Sequence, residues 1–134
     1  MSRLPVPEIV ETEEAAPYWE GARQGRLVLP RCDRCSHVIW YPRQLCSACG
    51  SLSVSWFEAS GTGHVYSYSV IRQSPGEYIG AVPFVLAYVE LEEGPRVLTN
   101  LVDFTEDPAI GRAVRAFFEP DANGAGLLRF RPSA

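Results

Sequence analysis

The chain has 134 residues, enough for one ordinary domain or a small domain joined to a mini-domain. With 46% hydrophobic and 21% charged residues, it has the composition of a globular protein, not a disordered one. Its formal net charge is −4 and all twelve basic residues are arginines, a balance that argues against nucleic-acid binding driven by counterion release.

No apolar run approaches the ~18 residues of a membrane span. The opening MSRLPVPEIVETEE lacks the apolar stretch of a signal peptide, so a cytoplasmic protein is expected. Residues 1–11 hold two prolines and little pattern, and read as an extended arm. A short helix follows, with Pro17 in its first turn, Tyr18 and Trp19 as anchors, and Gly25 as its stop. Leu27 to Leu29 read as a strand entering a cysteine-rich region that runs from Arg31 to about Ser53. From Trp56 onward, apolar stretches alternate with turn residues. Strands are expected over 64–72, 84–91, 96–102, 114–119 and 127–130, and five short strands at this spacing predict a closed or nearly closed barrel. Residues 73–82 form a long connection between the first two of these strands. In the strand at 84–91, Phe84, Leu86 and Tyr88 oppose Val85, Ala87, Val89 and Leu91, so both faces are apolar. The outer face is then covered either by the ribbon and helix or by another protein.

The cysteines fall as Cys32-x2-Cys35, ten residues, then Cys46-x2-Cys49. Two residues between ligands let one tight turn present both sulfurs to a single metal, and two such knuckles complete a thiolate tetrahedron. Gly50 stands where the second knuckle needs positive φ, while Ser36 takes that place in the first. Arg31, Arg34 and Arg43 are near in sequence to offset the charge of about −2 that four thiolates leave on zinc. The predicted site is structural and holds one zinc per chain, with iron the competing metal because rubredoxin-type sites share these ligands. His37 is read as a neighbour of the site and not as a ligand. The ribbon and the barrel are expected to have separate cores.

In its order of segments the chain resembles a family of acyl-CoA-associated proteins built from a helical N-terminus, a rubredoxin-like zinc ribbon and a C-terminal OB-fold. The matching stretches are Tyr18-Trp19-Glu20, Gly25-Arg26-Leu27, the four cysteines and Gly61-Thr62-Gly63-His64-Val65-Tyr66-Ser67-Tyr68. Further matches are Pro83 through Leu91, Ile110-Gly111 ahead of Val114, and Leu128-Arg129-Phe130-Arg131-Pro132. The resemblance implies a mainly β architecture: residues 1–26 as arm and short helix, 27–55 as the ribbon, and 56–134 as a five-stranded OB-fold barrel. It also implies a heteromeric partner of thiolase-fold enzymes or acyl-CoA hydratases, including aldolases that shorten steroid side chains held as CoA thioesters. Two copies of each chain around a central dimer are expected, with the CoA thioester near the interface.

The residues bear on three functions. An independent enzyme lacks a recognisable nucleophile–base pattern, since His37 and His64 are the only histidines and Glu92-Glu93 sits in a turn. Nucleic-acid binding through Tyr66, Tyr68 and Tyr88 conflicts with the charge balance. The resemblance tips the choice to a non-catalytic accessory subunit that binds and stabilises a thiolase-fold enzyme, with a steroid side-chain aldolase as the expected partner; the alternatives are a subunit of a hydratase or thiolase/synthase complex, or a standalone acyl-CoA binder. Its expected interface anchors are Trp40 and Tyr41 from the ribbon and Tyr78 and Ile79 from the long connection.

Overall fold

The computed structural model describes residues 4–133. Helix α1 spans Ala16–Arg23 and buries Tyr18, Trp19, Gly21 and Ala22. Eight residues are too few for a helix that stands alone, so this packing holds it. Its end is closed by the N–H of Gly25 donating to the Ala22 carbonyl and that of Arg26 to the Gly21 carbonyl, the paired bonds of a Schellman motif.

Strand β1 (Val28–Cys32) pairs antiparallel with β2 (Val54–Glu58), from Val28 opposite Glu58 to Cys32 opposite Val54. The sequence reading named no strand at β2. Its burial does not alternate, and the serines around it read as loop. Five further strands, β3 (Thr62–Ile71), β4 (Phe84–Leu91), β5 (Arg96–Leu101), β6 (Ala113–Pro120) and β7 (Gly126–Pro132), close a barrel in the order β3-β4-β5-β7-β6. All their pairings are antiparallel except β5 with β7, which meet at Leu101 and Phe130. This is the expected five-stranded OB barrel, with strand ends shifted by no more than two residues from the sequence reading. The connection at 73–82 is folded as a 3-10 helix over Gly76–Ala81.

Val65, Val89, Val97, Val114 and Phe130 fill the barrel and are inaccessible or nearly so. Tyr18, Trp19 and Ala22 of α1 and Leu29 and Val38 of the ribbon belong to that same cluster. Separate cores were expected; instead the base of the ribbon is built into the barrel core. Only its tip keeps a small cluster of its own, Cys32, Ile39 and Cys46 with Val54.

The N-terminal arm is fastened to the barrel. The Leu4 and Pro5 carbonyls accept bonds from the Arg129 guanidinium at 3.5 and 2.7 Å, and the Ile9 N–H donates to the Asp121 carboxylate at 2.9 Å. Arg129 is fully buried and also pairs with Glu119 at 3.0 Å, which supplies the charge compensation such burial requires. Helix α1 packs on β1, β6 and β7, away from the outer face of β3, β4 and β5. On that face Tyr66, Leu86, Tyr88 and Leu98 are exposed, Leu98 to 52%. Of the two explanations of the doubly apolar strands, cover by the ribbon and helix therefore does not hold for these residues. Among the described residues, no helix is long and apolar enough to cross a membrane.

Candidate metal centre and docking surface

Two matching turns build the metal centre. In the first, the Ser36 N–H donates to the Cys32 carbonyl at 3.0 Å and the Cys32 N–H to the His37 carbonyl at 2.8 Å. In the second, the Gly50 N–H donates to the Cys46 carbonyl and the Cys46 N–H to the Ser51 carbonyl, both at 2.9 Å. The residue closing each turn has positive φ, 66° at Ser36 and 78° at Gly50. Serine thus adopts the conformation that glycine takes more readily.

The four Sγ atoms lie within 4.8 Å of one another. Cys32 to Cys49 and Cys35 to Cys46 each measure 3.6 Å. A tetrahedron with Zn–S bonds of about 2.3 Å has sulfurs roughly 3.8 Å apart, so the residues fit one zinc ion. The N–H groups of Cys35 and Ala48 point to the Cys32 and Cys46 sulfurs at 3.4 Å. The Cys35 N–H is the main reason the Cys32 thiol is lowered to about 6. Cys46 is also lowered: burial opposes this, and the N–H groups of Cys49 and Ala48 together with the Cys35 and Cys49 sulfurs outweigh it. The His37 N–H favours the Cys35 thiolate, yet burial and the three neighbouring sulfurs push that thiol up to about 12. Four sulfurs this close cannot all ionise without a cation among them, and a divalent metal supplies it. Four thiolates fill the shell, so the zinc holds the fold and leaves no position for substrate.

Two of the three arginines near in sequence, Arg31 and Arg43, are engaged elsewhere. Arg31 lies over the Phe57 ring at 4.2 Å, and Arg43 donates to the Tyr41 carbonyl. Backbone N–H groups, which composition does not reveal, take their place at the sulfurs. Asp33 ties the first turn to β2, accepting from Ser53 and Ser55 at 2.9 and 2.7 Å, and these bonds lower its carboxyl pKa. His37 stands 3.4 Å from Ser47 beside the site.

The four expected interface residues occupy two places. Trp40 is half-buried, edge-on to Tyr18 at 5.8 Å and to Tyr41 at 5.4 Å, while Tyr41 remains exposed. Tyr78 tilts against Phe84 of its own barrel at 5.4 Å, and Ile79 next to it is 64% exposed. Sequence reasoning gave no role to Leu98, whose outward position follows only once Tyr88 is known to face it across β4 and β5.

A four-cysteine ribbon set into the core of a closed OB barrel defines a class of ribbon–barrel protein. Residues 19–55 match the family described as ChsH2, rubredoxin-like zinc ribbon domain, and 56–119 the one described as ChsH2, C-terminal OB-fold domain. The chain belongs to the ChsH2 (DUF35) family. It is 32% identical over 127 residues to a DUF35 domain-containing scaffold protein of Pyrococcus furiosus, covering 89% of this chain and 93% of that one. It is 42% identical over 101 residues to a probable enoyl-CoA hydratase alpha subunit of Thermomonospora curvata, matching 75% of this chain but spanning only 31% of that subunit. Among solved structures it resembles a chain of the Ltp2-ChsH2(DUF35) aldolase. That match has a TM-score of 0.81 and 36% identity over 95% of this chain and all of the other.

Proposed function

We propose that this chain is a non-catalytic accessory subunit that binds and stabilises a thiolase-fold enzyme acting on acyl-CoA thioesters, and that this enzyme is a steroid side-chain aldolase. The observation that carries the reading is the likeness, over nearly the whole chain, to a chain of a solved aldolase assembly. Two features of the molecule support it. The zinc shell is closed, and the exposed Tyr66, Leu86, Tyr88 and Leu98 give a partner an apolar, aromatic surface to cover. Trp40, Tyr41, Tyr78 and Ile79 are the further contacts we assign to it.

A second reading, the same role beside an acyl-CoA hydratase, is favoured by the 42% identity to a hydratase alpha subunit. Co-expression with each candidate separates the two. The chain co-purifies with the thiolase-fold enzyme, and Ile79→Ala together with Tyr41→Ala weakens that complex by about 2 kcal/mol or more without loss of zinc. Capture of a hydratase instead selects the second reading, and capture of neither refutes both.

A further inference from the structure

A cleft of about 710 Å³ is lined by residues of β3, β4, β5 and β6 and by the whole connection over 102–108. Four phenylalanine rings, Phe84, Phe104, Phe117 and Phe118, make up its walls together with Val70 and Val85. Its volume lies within the usual range for a site that encloses a small apolar molecule, roughly 300–1,000 Å³. No cysteine lines it, so it is separate from the metal centre.

The charged groups on the cleft are mostly acidic. Asp103, Glu106 and Asp107 are exposed, and Glu106 and Asp107 form no ion pair among the described residues. Glu119 is already committed to Arg129. The cation on the lining is Arg131, which lies 3.7 Å over the Phe117 ring and 3.7 Å from Asp103, beyond hydrogen-bond reach. Its charge is thus offset, while its guanidinium still lacks an acceptor among the described residues. Entering an apolar cleft costs any ion its hydration. For an anion, and most of all for the phosphates of a CoA, the carboxylates add repulsion to that cost. For a cation they offset it only by the small attraction of an exposed, screened pair. An uncharged molecule meets neither obstacle, and its apolar contact grows with the area it buries.

We propose that this cleft binds an uncharged apolar carbonyl compound that is not attached to CoA, with its hydrocarbon body between the phenylalanine rings and its oxygen accepting from Arg131. The carboxylates of Glu106 and Asp107 then act against the wrong ligand, keeping thioesters of CoA out. Phe84 stands on the same face of β4 as the exposed Leu86 and Tyr88, so the cleft borders the surface assigned above to the enzyme. Identifying the ligand as that enzyme's CoA-free product rests on the preceding proposal; the binding preference does not.

The test uses the full zinc-loaded chain, labelled for NMR at methyl and aromatic groups, and four probes that share one bicyclic skeleton: 2-decalone, 2-methylenedecalin, decalin-2-carboxylate and decalin-2-ammonium. At low ionic strength 2-decalone gives saturable shifts at the Phe84, Phe117 and Phe118 rings and the Val85 methyls. The carboxylate binds about tenfold or more weakly than the ketone, and the ammonium no more tightly than the ketone. In the double variant Glu106→Gln, Asp107→Asn, both exposed positions, the carboxylate gains about threefold or more on the ketone while zinc content is unchanged. In Arg131→Met the affinity of 2-decalone relative to 2-methylenedecalin falls by about threefold or more. No saturable shift at these signals, a carboxylate that binds as well as the ketone, or displacement of the ketone by decanoyl-CoA overturns the proposal. So does an ammonium that binds more tightly, which makes the cleft a cation site, or a ratio that its variant leaves unchanged. No enzyme partner enters this experiment, so its failure leaves the accessory role standing, and failure of co-purification leaves the cleft's preference to be read for this chain alone.

Discussion

Asp121 shows how much one side chain holds in place. One carboxylate oxygen accepts the Ile9 N–H, and the other accepts those of Asn123 and Ala125 at 2.8 and 2.9 Å. The Ile9 bond is the largest cause of its lowered pKa. Because the folded-state value lies below the unfolded one of about 3.9, the stabilisation is complete above the unfolded value and is lost as pH falls from there through the folded-state value. Asp121→Asn keeps only one oxygen acceptor and no titratable group. Thermal melts of this variant should start lower at neutral pH and fall less steeply on acidification than those of the parent; parallel melting curves would contradict this. The cysteines, by contrast, concern metal. Cys46→Ser should lose the single zinc and open the Ile39 cluster, and, because Leu29 and Val38 share the barrel core, lower barrel stability while strand signal remains. Elemental analysis and far-ultraviolet circular dichroism check both parts. The ligands were legible in the sequence because their spacing is local. Asp121 and Arg129 were not, since their partners lie 112 and 124 residues away in the chain.

At the scale of elements, the joint between α1 and β7 depends on Gly126. A Cβ placed there would come 2.8 Å from the Ala22 carbonyl oxygen and 3.1 Å from its Cβ. Gly126→Ala should therefore separate helix from strand and cost about 1–3 kcal/mol in denaturant unfolding, with zinc retained. A cost near zero would mean that the helix tolerates displacement. The strands of the barrel were legible because short apolar runs bounded by turn residues are written locally, as in 84–91 and 96–101. Helix α1 was legible through Pro17 and Gly25. β2 was not, because its side chains are half-buried on both faces where ribbon meets barrel, and no period survives. The 3-10 helix over Gly76–Ala81 was equally hidden. Its Tyr78 gains order from Phe84, a contact set by tertiary folding and not by the ten-residue segment itself.

At the scale of the molecule, one core joins helix, ribbon base and barrel, and the surface it leaves outside is apolar on β3, β4 and β5. The doubly apolar strand was visible in the sequence. What was not visible is that the chain's own helix lies on β1, β6 and β7, which follows from the order of strands around the barrel. The central claim is that an enzyme subunit covers this surface. Light scattering on the co-expressed chain and thiolase-fold enzyme, after size-exclusion chromatography, tests it most directly. A single species with the mass of two copies of each chain is the predicted result; a monodisperse monomer of this chain, separate from the enzyme at micromolar concentration, would contradict it.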